Sequence, residues 1–116
     1  DLRLGTHVNA IGSYNLGMRE IDTEALKRAR IVVDSRNACR AEAGELVAAW
    51  SCGEIAGPES WTELGEIVNG RAPGRQSAEE ITLFKSVGNA AQDMAAARRA
   101  YLVAKDRGLG LEVDLD

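Results

Sequence analysis

The sequence predicts an α/β fold, the second half of a doubly wound parallel sheet followed by a long C-terminal helix. Three observations predict it. Ile31-Val32-Val33 is a continuous β-branched run, which suits a strand buried on both faces beneath helices. Between His7 and Trp50 strand-like and helix-like segments alternate in the βαβα order of an open sheet. Near the end, Ala90, Met94, Ala97, Tyr101 and Ala104 recur at helical spacing.

Taken in order, residues 7–12 are mostly apolar or small and end at Gly12-Ser13, which predicts a strand opening into a loop. Asp22 or Thr23 offers an N-cap for a short helix carrying Leu26 and Ala29 on one face. Asp34 lies near the end of the 31–33 strand. Asn37 is available as the cap of a helix reaching about Trp50, with Ala38, Ala41, Glu42, Leu46 and Ala49 three or four residues apart. Residues 51–80 form a glycine-rich connection in which Trp61, Leu64, Ile67 and Val68 mark a short helix. The last helix leaves Gln92, Asp93, Arg98, Arg99, Lys105 and Asp106 for solvent or polar contacts, and Gly108 and Gly110 supply its stop. Its many alanines suit close packing against another domain or subunit; a surface helix of high helix propensity is the other reading.

At 116 residues and 45% hydrophobic, the chain has the size and apolar content of one domain or a large part of one. A formal net charge of −4 argues against a nucleic-acid partner, which needs a basic stripe. No apolar run approaches the roughly 20 residues needed to span a bilayer, and no signal-peptide pattern opens the chain, so a cytoplasmic protein without a membrane partner is expected. Cys39 and Cys52 are expected as reduced thiols. The single histidine, His7, makes no familiar zinc spacing with them, and no metal is expected. One histidine supports neither a Ser/His/Asp nor a Cys/His hydrolase.

The segment Ile81-Thr82-Leu83-Phe84-Lys85-Ser86-Val87-Gly88-Asn89 resembles the closing segment of the ornithine cyclodeaminase/mu-crystallin family. Gly5-Thr6-His7-Val8-Asn9-Ala10-Ile11-Gly12-Ser13, Met18-Arg19-Glu20-Ile21-Asp22, Ile31-Val32-Val33-Asp34-Ser35-Arg36, Glu42-Ala43-Gly44-Glu45-Leu46 and Glu63-Leu64-Gly65-Glu66 resemble further family segments in the family's order, over nearly the whole chain. The resemblance implies a Rossmann-like nucleotide-binding domain, with residues 1–86 its distal part and 87–116 a C-terminal helix returning to the dimerisation and substrate domain. It implies NAD or NADP as cofactor, a small imino or amino acid as substrate, and a homodimer. No Gly-x-Gly-x-x-Gly turn is present to seat a pyrophosphate, and there is no initiator Met. The chain is therefore expected to be the C-terminal part of an enzyme, inactive and a weak cofactor binder alone.

By the same resemblance, His7, Asn9, Ile11, Gly12, Ser13, Lys85 and Ser86 are expected to line the cofactor. His7 and Asn9 share a face if their strand is regular. For His7 a structural role competes with a catalytic one, and for Ser86 the competing role is to cap the helix behind it. Where the cyclodeaminases carry a proton-transferring aspartate in Gly-Asp-Cys-Pro-Gly-Lys-Thr-Glu, this chain carries Tyr14, with Leu16 and Met18 in place of the proline and lysine. A carboxyl titrating near 4 accepts a proton at neutral pH, whereas a tyrosine titrating near 10 is chiefly a hydrogen-bond donor. That departure favours the family's reductases, which move a hydride to the C=N carbon of a cyclic imino acid of the pyrroline-2-carboxylate type, or its amino-acid dehydrogenases. An ornithine cyclodeaminase and a non-catalytic, mu-crystallin-like ligand-binding module remain alternatives. Tyr14 either orients substrate or packs under its loop.

Overall fold

The computed structural model describes residues 2–111 and 113, so residue 1 and residues 112 and 114–116, the tip of the expected 87–116 segment, lie outside the described part. Four strands form one parallel sheet: β1 (His7–Ala10), β2 (Arg30–Val33), β3 (Thr62–Glu63) and β4 (Thr82–Lys85), in the order β1-β4-β2-β3. The last strand therefore inserts between the first two. Its register sets Ala10 and Val33 on either side of Lys85.

The connections are helical: α1 (Thr23–Arg28), α2 (Arg36–Glu42), α3 (Gly44–Ser51), a 3-10 turn at Pro58–Ser60, and α4 (Leu64–Val68). Asp22 caps α1 by accepting the Ala25 N–H. Glu63 and Glu66 close a reciprocal capping box on α4. One core binds the layers, with Leu26 of α1, Cys39, Ala43, Leu46 and Ala49 of the α2–α3 region, Trp61, and Val33 and Leu83 of the sheet all buried. Each large apolar side chain so buried contributes about 1.5–3 kcal/mol.

Three expectations change. The helix expected from Asn37 to Trp50 is two helices, broken at Ala43, and the cap is Ser35, whose hydroxyl accepts the Ala38 N–H. The break follows from tertiary packing: a Cβ on Gly44 would stand 2.4 Å from the Met18 carbonyl oxygen and 2.7 Å from that of Leu16, so the loop after β1 lies directly on the start of α3. Cys39 and Ala43 are buried in place of Ala41 and Glu42, which face out. Finally, the 51–80 connection contains β3, a strand of two residues that no periodicity announces.

The last helix, α5 (Ala90–Asp106), ends in a Schellman motif: Gly108 adopts φ +61°, its N–H reaches the Lys105 carbonyl, and the Leu109 N–H reaches that of Ala104. No residue of α5 is buried, and Met94, Tyr101 and Leu102 stand exposed. Among the described residues no helix is long and apolar enough to cross a membrane.

Candidate active site

The strand order gathers three strand ends at one rim. The Ser86 N–H donates to the Ala10 carbonyl at 3.1 Å and the Asp34 N–H to the Lys85 carbonyl at 3.1 Å, which carries the ladder one step beyond the strands. Ile11-Gly12-Ser13, Ser86-Val87-Gly88 and Asp34 thus meet at the carboxyl edge, where open parallel sheets place their ligands.

Adjacent residues of a strand point to opposite faces, so Lys85 and Ser86 serve two different structures. Lys85 shares the face of Leu83, turned to the helices, and is fully buried. Its Nζ donates to the Ser13 carbonyl at 2.7 Å, the Ser13 hydroxyl at 2.7 Å and Glu20 Oε1 at 2.8 Å, with Glu45 Oε1 at 3.1 Å. The Ser13 hydroxyl in turn donates to Glu45 Oε2 at 2.7 Å. Glu20 also accepts the Gly12 N–H at 2.9 Å and the Ser13 N–H at 3.1 Å. Burial alone would raise the Glu20 carboxyl, but the Lys85 ammonium and these two N–H groups outweigh it and hold it below its ordinary value of 4.5.

Ser86 belongs to a second knot. Its Oγ donates to Asp34 Oδ2 at 2.6 Å, and the same oxygen accepts the Val87 and Gly88 N–H groups at 3.2 Å each. Asp34 Oδ1 accepts the Ser35 N–H at 2.7 Å and faces Cys39 Sγ at 3.4 Å. Burial, then the Asp34 charge, push the Cys39 thiol up to about 12. Ser86 does not cap the helix behind it: Asn89 does, its side-chain oxygen accepting the Ala91 N–H.

His7 and Asn9 lie on the same exposed face of β1, with His7 Nε2 3.2 Å from Asn9 Oδ1. His7 Nδ1 is 2.8 Å from Thr82 Oγ1, which also accepts from Arg75 Nη2 at 2.8 Å. Ile11 and Tyr14, 67% and 61% exposed, project from the loop that follows, so Tyr14 does not pack beneath it. Of the residues expected to line the cofactor, His7, Asn9, Ile11, Gly12 and Ser86 are on the open rim or face, whereas Lys85 and Ser13 are enclosed behind it. Asp34, Glu20 and Glu45 are the side chains tying this rim together to which the sequence alone gives no role. The signal available was Lys85 itself, because an ammonium at the end of an apolar strand requires carboxylate partners.

No group of three His, Cys, Asp or Glu side chains among the described residues is placed to hold a metal. Ile11 and Asn9 stand exposed at the rim, and the charged groups at and behind it, Asp34, Lys85, Glu20 and Glu45, are already partnered within the protein.

The family model of the ornithine cyclodeaminase/mu-crystallin family matches residues 2–108. A Delta(1)-pyrroline-2-carboxylate reductase of Bacillus cereus is 39% identical over 114 residues, 97% of this chain and 35% of that protein. Among solved structures, the Thermococcus litoralis Delta(1)-pyrroline-2-carboxylate reductase in complex with NADH and L-proline superposes with a TM-score of 0.85 at 39% identity, over 97% of this chain and 35% of that one. An archaeal alanine dehydrogenase dimer with bound NAD superposes with a TM-score of 0.80 at 40% identity, over 99% of this chain and 36% of that one. The chain thus spans about a third of the length of the relatives it matches. From residue 2 to residue 108, this chain belongs to the ornithine cyclodeaminase/mu-crystallin family.

Proposed function

We propose that the chain forms the nicotinamide-side, C-terminal part of an NAD- or NADP-dependent oxidoreductase that reduces a cyclic imino acid of the pyrroline-2-carboxylate type, or dehydrogenates an amino acid. The observation that carries this reading is the residue at the loop tip. Tyr14 stands exposed at the carboxyl edge, directly after a Ser13 that is fastened on every polar atom. A phenol there supplies a hydrogen bond to a substrate nitrogen or carboxylate, where the cyclodeaminases carry the carboxylate that serves proton abstraction in ammonia loss from ornithine. The relatives reported above, two reductase proteins and a dehydrogenase, support the same choice.

In this reading Asn9 and Ile11 border the face on which the nicotinamide ring lies, Ser86 bounds it at the rim, and Gly12 leads into the loop on the substrate side. His7, tied to Thr82 and Asn9, orients the Asn9 amide. The bound cofactor supplies the hydride; the chain's residues hold ring and substrate edge to edge. The 1–86 segment serves the cofactor. The 87–116 segment, with Met94, Tyr101 and Leu102 exposed on α5, serves a second domain or a second copy, in keeping with the dimeric alanine dehydrogenase relative. The test is turnover by the natural full-length polypeptide: NADH or NADPH should be consumed with Δ1-pyrroline-2-carboxylate, and ornithine should release no ammonia. Stoichiometric conversion of ornithine to proline would replace the reductase by a cyclodeaminase.

A further inference from the structure

Lys85 could be neutralised by one carboxylate, yet it meets two, together with a hydroxyl and a carbonyl. All of these groups belong to, or directly hold, the same two loop residues. The N–H of Gly12 and the N–H, carbonyl and hydroxyl of Ser13 all end on Lys85, Glu20 or Glu45. Glu20 comes from the chain before α1, Glu45 from the first turn of α3 and Lys85 from the central strand, so three separate elements clamp one point of the loop. The next residue is Tyr14. The Asp34–Ser86 knot shares no bond between side chains with these groups: the Asp34 N–H and Cys39 Sγ each meet only the Lys85 backbone carbonyl, at 3.1 and 3.8 Å. The two halves of the rim are therefore held by separate devices.

We propose that Lys85, Glu20 and Glu45 are positioning residues that fix Tyr14 over the substrate side of the rim, while the Asp34–Ser86 knot independently shapes the cofactor side. The assignment rests on the reading of Tyr14 given under Proposed function. A buried ammonium is costly to dehydrate, and its partners lose their geometry together once it is removed. Loosening the clamp displaces the phenol and lowers turnover of the imine without disturbing cofactor binding, because small misplacements of a contacting group are felt in rate.

The experiment uses Glu20→Gln and Lys85→Met in the natural full-length polypeptide, with NADH or NADPH binding followed by fluorescence, steady-state rates on Δ1-pyrroline-2-carboxylate, and amide hydrogen exchange along the loop. Glu20→Gln should lower kcat/KM for the imine by about tenfold and leave the cofactor Kd within about twofold. Exchange at Gly12 and Ser13 should quicken by about tenfold, with β2 and β4 unchanged. Lys85→Met should move the same quantities further; should it fail to fold, Ser13→Ala takes its place, since it removes only the hydroxyl that joins Lys85 to Glu45. Unchanged kcat/KM in a Glu20→Gln variant, unchanged exchange at Gly12 and Ser13, or a cofactor Kd that weakens in step with kcat/KM would each overturn the proposal. A wild type that binds cofactor but reduces no imine would instead overturn the proposed function.

Discussion

Ser86 Oγ donates to Asp34 Oδ2 at 2.6 Å, joining the turn after the central strand to the end of its neighbour. Asp34 accepts two further N–H groups of that turn, from Val87 and Gly88, and one from Ser35 at the start of α2. A single half-buried carboxylate thus fixes the Ser86–Gly88 turn and holds Ser35, the cap of α2. Asp34→Ala leaves five donors without it, Cys39 Sγ included, and should lower stability by about 3 kcal/mol or more, whereas Asp34→Asn, which keeps one acceptor oxygen, should cost about 1–2 kcal/mol. Denaturant midpoints at constant slope measure both. Equal costs would mean that the carboxylate charge carries the interaction and that the shape asparagine keeps contributes nothing.

Ser86 and Asn89 can be told apart by where their loss is felt. Asn89→Ala should cost about 1 kcal/mol and fray the first turn of α5, because Asn89 accepts the Ala91 N–H. Ser86→Ala should cost a similar amount through its lost bond to Asp34 while α5 keeps its exchange protection. Fraying of α5 in the serine variant would return the capping role to Ser86.

Gly44→Ala tests the break between α2 and α3. Alanine is normally favoured over glycine in a helix, yet here its Cβ would meet three backbone carbonyls, those of Met18, Leu16 and Asn15, at 2.4, 2.7 and 2.9 Å. Those carbonyls cannot give way without moving the loop that carries Tyr14, so the substitution should destabilise by about 1–3 kcal/mol. A stabilised variant would show that the loop is free of α3.

Much of the fold was legible in the sequence, for physical reasons that also explain what was not. The β-branched run at Ile31–Val33 and the apolar segment before Lys85 announced two strands, and the pair Asp22-Thr23, of which Asp22 is the cap, announced α1, because each is local chemistry. Ser35 outcompeted Asn37 as a cap, and the helix broke at Ala43, because carbonyls from residues 15–18 press on Gly44, a contact that exists only after folding. At the site, the Lys-Ser pair and the 11–14 loop were visible as motifs. Their anchors were not: Glu20 precedes α1 and Glu45 sits on α3, and nothing in their spacing shows that both reach Lys85.

Acid should loosen the Tyr14 loop before it unfolds the sheet. Since the Glu20 pKa is lowered in the folded protein, its contribution is fully present above its ordinary value of 4.5 and is lost as pH falls through the lower folded value. Exchange at Gly12 and Ser13, corrected for intrinsic rates, should quicken below about pH 4.5, and Glu20→Gln should remove that dependence. Persistence of the dependence in the variant would assign it to another carboxylate.

The two thiols should react very differently. Cys52 is exposed, whereas Cys39 is buried with its thiol pushed up to about 12 by burial and the Asp34 charge. A thiolate-selective reagent near pH 8 should modify Cys52 alone in the native protein and both after unfolding. Native modification of Cys39 would contradict the closed core around Asp34.

Hydride transfer at this rim to the carbon of a cyclic imine is tested most directly by following an isotope. With NADH or NADPH carrying deuterium at the transferable position and Δ1-pyrroline-2-carboxylate as acceptor, the natural full-length polypeptide should form proline bearing one deuterium at its α-carbon. Proline without deuterium, or formed only from ornithine with release of ammonia, would contradict it.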